Sequence, residues 1–195
     1  MQPDVAESGR VWFLGEQYVD RVVRDGQVVY NRNYIKNTFT DYLSFEQTSW
    51  DNRLSRTPDI KPVSGRTMVT SVYVKNSNAE EMGTALFLQW ENWDLENTFT
   101  HTEKSSRISD SFNGRAQITN TFKEDDVSNS CTLKRSNLEA GAISYDYCKV
   151  KAELGTTATP YTVAPEDLFP SASNLLPDWL DDWEGEDDGM MIERG

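Results

Sequence analysis

Hydrophobic and polar residues alternate along much of this chain with the period of two that a β-strand produces. The clearest alternation covers residues 66–75, 115–123 and 143–154, and residues 83–90 are apolar on both faces, as in a covered central strand. No helical period of similar strength accompanies them. The pattern therefore predicts an all-β fold, an antiparallel sandwich or barrel.

The alternation also predicts which side chains face the core. Residues such as Met68, Val72, Ile118 and Trp90 have the parity of the apolar face, so we expect them inside. The opposite face combines aromatic rings with hydrogen-bonding groups. Its predicted members are Tyr73, Arg115, Gln117, Thr119, Tyr145 and Tyr147.

Residues 1–30 are predicted to form a small unit built on a β-meander over 11–30. Asp25-Gly26 lies between β-branched residues and is a strong hairpin signal, because both central turn positions need positive φ. Three short strands bury little by themselves, so this unit must pack on the next domain or on a partner subunit. Val28 and Tyr30 are the candidate contacts, and an ordinary edge of the same sandwich is an equally good interpretation.

Residues 168–195 form an acidic tail. Seven acids and no base lie between 178 and 188, and Leu175, Trp179 and Trp183 recur at helical spacing. Two interpretations remain open, a solvated acidic end or a short amphipathic helix that docks on a protein surface. In the second, Trp179 and Trp183 are interface residues.

Composition narrows the classes of partner. The 195 residues suit one domain with appendages, and the formal net charge of −13 disfavours nucleic acid and anionic membranes. No signal peptide or membrane span is apparent, which predicts synthesis in a cytoplasm. If residues 131–135 and 143–148 pair as a hairpin, Cys131 and Cys148 face each other, either as buried thiols or as a late disulfide.

Catalytic chemistry is not indicated. The single histidine, His101, lies in a predicted polar loop without a matching nucleophile, and one histidine without clustered cysteines does not make a zinc site. Carboxylates such as Glu91 and Glu153 are common in any acidic chain. We therefore expect a non-enzyme without a cofactor, and a structural calcium ion stays open because oxygen ligands are abundant.

Three passages carry a family resemblance. KVKAELGTTATPYTVAPED (149–167) resembles the closing signature of jelly-roll modules in tail and baseplate proteins of phages that infect Gram-positive bacteria. NRNYIKN (31–37) and GRTMVTSVYVK (65–75) resemble the opening and second strand of those modules. The family is similar to galactose-binding-like carbohydrate-binding modules. The resemblance implies a jelly-roll module over residues 31–167, preceded by a β-element and located in a virion.

A sugar site needs a flat aromatic platform and fixed hydrogen-bonding groups. The predicted carbohydrate contacts are Trp50, Tyr73, Trp93, Arg115, Gln117, Tyr145 and Tyr147, with Trp50 and Trp93 closing over one end. We expect a homo-oligomeric tail or baseplate protein that binds a host cell-wall saccharide and other virion proteins. The alternative is a structural connector of tail or neck that binds no sugar.

Overall fold

A computed structural model of the 195-residue chain describes residues 13–14, 17–24, 26–50, 58, 60–168 and 190–194. Its strands are β1 Phe13–Leu14, β2 Gln17–Arg24, β3 Gln27–Asn31, β4 Leu43–Gln47, β5 Thr67–Lys75, β6 Leu86–Trp93, β7 Phe99–Lys104, β8 Gly114–Thr121, β9 Ser128–Arg135, β10 Ile143–Leu154 and β11 Met190–Arg194. One helical turn, α1, spans Pro165–Leu168. Within the described ranges no helix is long and apolar enough to cross a membrane. The all-β prediction is confirmed.

Two antiparallel sheets enclose the main core. One has the order β4-β10-β5-β8 and the other the order β7-β6-β9. Met68, Val72 and Ile118 from the first sheet share one buried cluster with Leu88 and Trp90 from the second. The antiparallel β-sandwich is therefore confirmed, as is the interior position of Trp90, which is 0% exposed.

In the middle of strand β10, the side chains switch the face of the sheet to which they point. Lys149 has a φ of 53°, and the register with β5 shifts between Cys148 and Lys151, which marks a β-bulge. Before the bulge, Tyr145 and Tyr147 face the core and are 1% and 6% exposed. The prediction that these two tyrosines face outward is wrong. It assumes strict alternation along the whole of β10, whereas the extra residue in the bulge reverses the alternation.

A third sheet of four strands joins the two ends of the described chain. Strands β1, β3 and β11 all pair with β2 in antiparallel fashion, and Gly26 has a φ of 74° in the β2–β3 turn. The predicted hairpin is confirmed. Tyr30 pairs with Val22 and both are buried within the chain, so the Tyr30 ring is not available to a partner. Val28 is partly exposed, and its interface role stays a prediction.

The end of the acidic tail contributes a strand that the sequence did not suggest. Residues Met190–Arg194 form β11 on the edge of β2. The apolar spacing that predicts a helix falls on residues 175–183. These residues, including Trp179 and Trp183, lie outside the described ones.

The predicted hairpin between 131–135 and 143–148 is wrong. Strand β9 belongs to the three-stranded sheet and β10 to the four-stranded sheet, so the connection crosses between layers. Cys131 points into the core, and both Cys131 and Cys148 are buried free thiols. Burial raises the pKa of each thiol.

The opening and closing sequence motifs meet along the second half of β10. Asn33 is 0% exposed, and its side-chain amide donates to the carbonyls of Val150 and Thr162, at 3.1 Å each. Its Oδ1 accepts from the backbone amides of Ile35 and Ala152, at 3.0 and 3.1 Å. One buried side chain therefore ties residues 31–37 to β10 and to the segment that leaves it.

Replacing Asn33 by alanine should strongly destabilise the sandwich. The change leaves four backbone groups in a buried site without their partner, and each unsatisfied group costs about 1 kcal/mol or more. We expect the free energy of unfolding to fall by about 3 kcal/mol in urea denaturation. Asn113→Ala, at an exposed position, is the matched control. A loss below about 1 kcal/mol for Asn33→Ala would contradict this role.

Candidate functional site

The outer face of the four-stranded sheet, where the sequence places the sugar site, is largely covered by the closing motif. Lys151 and Glu153 are 0% exposed although they face away from the core, with their ammonium and carboxylate groups 3.3 Å apart. Lys151 Nζ donates to Thr159 Oγ1 at 2.7 Å and to the Pro160 carbonyl at 2.9 Å. The Thr159 backbone amide donates to Glu153 Oε1 at 2.8 Å.

Arg115 belongs to the same buried group. Its guanidinium donates to the carbonyls of Ala158 and Thr159 and to Ser71 Oγ, and lies 3.8 Å from Glu153. These contacts pin the chain where it leaves β10. Two backbone carbonyls and one hydroxyl engage the terminal nitrogens of Arg115, which gives it a structural role; its role as a sugar contact stays a prediction.

Little of the predicted aromatic face remains open. Tyr145 and Tyr147 lie in the core, and Tyr73 is partly exposed with the Lys149 ammonium 5.5 Å from its ring centroid. Gln117 is exposed on β8. Tyr73 and Gln117 therefore stay candidate contacts without the two aromatic neighbours expected beside them.

Trp50 and Trp93 lie at opposite ends of the sandwich. The Trp50 carbonyl accepts from the Arg135 amide at one end of β9, whereas Trp93 pairs with Ser128 at the other. Seven residue steps separate those ends, which corresponds to roughly 23 Å in a strand. The prediction that the two rings close over one end is wrong.

A candidate surface lies instead on the outer face of the three-stranded sheet, with partly exposed aromatic residues at its ends and buried polar residues between them. We call it the β6 strip, defined by Phe87, Gln89, Glu91 and Trp93. These side chains alternate with the inward residues Leu86, Leu88, Trp90 and Asn92. Aromatic rings stand at both ends of the strip, and polar groups lie between them.

Neighbouring strands complete the β6 strip. The Lys104 ammonium lies 5.0 Å from the Phe87 ring centroid, and Phe99 packs on Trp93 with ring centroids 5.3 Å apart. Lys134 on β9 forms an ion pair with Glu91, which also accepts from Gln89 at 2.7 Å. Phe99 is 58% exposed, so the Trp93–Phe99 pair offers an accessible aromatic platform.

Next to this platform, the β6–β7 and β8–β9 turns enclose a shallow depression of about 240 Å³. Its lining residues are Asp94, Leu95, Glu96, Glu124, Asp125 and Val127. Leu95 is 84% exposed. The depression has acidic and apolar walls and opens to solvent beside Trp93.

Buried polar residues hold this end of the sandwich rigid. Asn92 and Asn120 exchange two hydrogen bonds of 3.0 and 3.2 Å between the sheets, and His101 Nε2 lies within 3.2 Å of both side chains. Asp126 accepts from the Thr100 hydroxyl and from the Lys123 amide. The predicted polar loop is wrong here, because β6 continues to Trp93 and His101 lies within β7.

Sequence reasoning found Trp93 but missed the rest of the β6 strip. The polar run ENWD favours a loop, so the predicted central strand ends at Trp90. The signal was present, since Phe87, Gln89, Glu91 and Trp93 continue the same alternation. Glu91 and Glu153, both considered as catalytic carboxylates, lie on the outer faces of different sheets and do not flank one cleft.

No group of three or more His, Cys, Asp or Glu side chains in the described part of the chain is placed to hold a metal ion. His101, for which the sequence predicts no catalytic role, contacts amide, hydroxyl and carboxylate groups of the structural network.

No protein-family model and no curated protein matches the chain. Among solved structures it is similar to the enzymatically active domain of tailspike protein 4 of bacteriophage CBA120, with 12% identity and a TM-score of 0.39 over 61% of this chain and 18% of that one. It is also similar to the CBM22-1 xylan-binding domain from Paenibacillus barcinonensis, with 11% identity and a TM-score of 0.39 over 79% of this chain and 100% of that one.

A third similar structure is the Glycosylation Associate Protein complex from Streptococcus agalactiae, with 14% identity and a TM-score of 0.34 over 83% of this chain and 46% of that chain. The neighbours thus include a phage tailspike domain and a carbohydrate-binding module. Similarities at these TM-scores carry no argument about the activity of this chain.

The buried Lys151 predicts a pH dependence of stability. Burial lowers the pKa of its ammonium to about 8 from an ordinary value of 10.5, and Glu153 only partly offsets this. Between those values the unfolded chain binds more protons than the folded chain, so stability rises with pH. Urea unfolding of the wild type and Lys151→Met should therefore show the wild type gaining relative stability from pH 8 to pH 10. A constant or falling difference would contradict the assignment.

Proposed function

We propose that this chain is a non-enzymatic, carbohydrate-binding structural component of a phage tail or baseplate, and that it binds host cell-wall saccharide on the β6 strip. The observation that carries the proposal is the accessible Trp93–Phe99 platform beside fixed polar groups. A pyranose presents an apolar C–H face and a rim of hydroxyls. The aromatic platform suits the apolar C–H face, and the Gln89–Glu91–Lys134 group suits the rim of hydroxyls.

The shape of the surface supports weak, repeated binding. The exposed platform at the Trp93 end and the depression beside it are shallow, so a bound glycan keeps much of its hydration. Single-site affinity is then modest, and many copies on one particle raise the overall avidity. This agrees with the proposal of a homo-oligomer in the virion that contacts other tail proteins as well as the host surface.

The rigid end of the sandwich also supports the proposal. The Asn92–Asn120 pair and the Asp126 contacts fix the strands that carry Trp93 and Phe99. A platform that is already ordered loses little conformational entropy when a glycan binds. The proposed sugar site thus lies on strands and a supported turn.

A second candidate function is a structural connector that binds proteins and no sugar. Leu43 and Trp50, on or near the edge strand β4, are 48% and 52% exposed. An apolar edge strand is a surface that other protein chains pair with or cover. This observation favours a protein contact along the β4 edge, where Trp50 lies at the end of the sandwich opposite the Trp93–Phe99 platform.

Removing the platform should remove sugar binding. Trp93→Ala deletes an aromatic face worth at least about 1.4 kcal/mol to a stacked ring, so glycan affinity should fall tenfold or more. The measurement is binding of multimerised protein to a host cell-wall glycan array, with thermal melting to verify the fold.

Trp50→Ala is the matched control, because it removes an exposed tryptophan at the opposite end of the sandwich. We expect its glycan binding to stay within twofold of the wild type. Binding that depends on Trp50 and not on Trp93, or no binding to any host glycan, would overturn the sugar proposal and favour the connector function.

A further inference from the structure

The Glu91 carboxylate is held from one side only. Gln89 Nε2 donates to Oε1 at 2.7 Å, and Lys134 Nζ donates to the same oxygen. Oε2 has no hydrogen-bond partner among the described residues. It still keeps some contact with solvent, since it is not among the fully buried side-chain atoms that lack a partner. The Glu91 side chain is buried, at 7% exposure, so Oε2 is a fixed acceptor at the floor of the β6 strip.

Lys134 presents free donors at the same point. In the β6–β9 register it faces Phe87, so its side chain extends past Gln89 to reach Glu91. An ammonium group has three N–H donors, and the described contacts of Lys134 use one of them, on Glu91 Oε1. The Lys134 side chain is 14% exposed, so it is only partly covered by its neighbours.

We propose that Glu91 and Lys134 form the polar anchor for a neutral saccharide, with two adjacent hydroxyl groups bridging the pair. Glu91 Oε2 accepts a hydrogen bond from one hydroxyl, and Lys134 Nζ donates to the other. This inference rests on the proposed sugar-binding function and adds to it the class of ligand and the residues that select it.

Charge explains the preference for neutral sugars. The two ions of the anchor neutralise each other, and the neighbouring depression carries Asp94, Glu96, Glu124 and Asp125. A glycan with carboxylate or phosphate groups meets repulsion from these acids, whereas a neutral polyol meets none. Hydrogen bonds to charged groups are roughly twice as strong as those between neutral groups, which allows the anchor to discriminate among hydroxyl arrangements.

The test compares two variants that shift charge in opposite directions. Glu91→Gln keeps an amide oxygen for Gln89 and Lys134 but leaves an unpaired cation, and Lys134→Met leaves an unpaired carboxylate. The probes are neutral gluco-, galacto-, manno- and xylo-oligosaccharides, together with uronic-acid oligosaccharides of matched length, measured by calorimetry and on arrays. Glu46→Gln, an exposed carboxylate on β4, is the control for net charge.

We expect both variants to weaken binding of the best neutral oligosaccharide about tenfold or more. The ratio of neutral to uronic-acid affinity should fall in Glu91→Gln and rise in Lys134→Met, a pair of opposite changes that a purely structural role does not produce. Glu46→Gln should leave the affinity for the neutral oligosaccharide and the ratio of neutral to uronic-acid affinity unchanged. Thermal melting identifies a variant that fails to fold. In that case the oligosaccharide binding of the other variant decides whether the anchor stands.

The outcomes separate the two proposals. If Trp93→Ala abolishes binding while both anchor variants bind within twofold of the wild type, the anchor is overturned and the sugar site stands. If the wild type binds uronic-acid oligosaccharides better than neutral ones, the anchor is overturned as well. If no oligosaccharide binds the wild type, both proposals fail.

Discussion

The rest of the structure depends on the β-bulge at Lys149. Strand β10 lies between two other strands of its sheet, and the side chains of its two halves make different contacts. The first half sends Tyr145 and Tyr147 into the core, while the second sends Lys151 and Glu153 outward under the closing motif. An unbroken strand of twelve residues would place both pairs on one face. The bulge lets one strand fill the core and also hold the chain that leaves the sandwich.

The two sheets consequently have different outer surfaces. On the four-stranded sheet, the buried Lys151 and Glu153 and the partly exposed Arg115 bind the exit segment, with Asn33 joining the opening segment to it. Buried ions require partners, and here backbone carbonyls and Thr159 supply them. The motifs that resemble phage modules therefore contribute to the fold. The proposed ligand site lies on the other sheet.

On the three-stranded sheet, aromatic and polar side chains follow one strand in an order that suits a sugar chain. The polar groups are already engaged with one another, so their geometry is set before a ligand arrives. Between the sheets, the Asn92–Asn120 pair fixes the same strand from below. The site is thus built on β-structure, and only the acidic depression is formed by turns.

The sequence by itself determined the all-β class, the hairpin at Gly26, the inward face of β5 and β8 and the interior position of Trp90, because these features follow from local turn chemistry and strict alternation. Only the tertiary structure decided the orientation of Tyr145, the separation of Trp50 from Trp93 and the burial of Arg115. A bulge, a crossover between sheets and a covering segment are consequences of which distant residues pack together. Local periodicity contains no information about that packing.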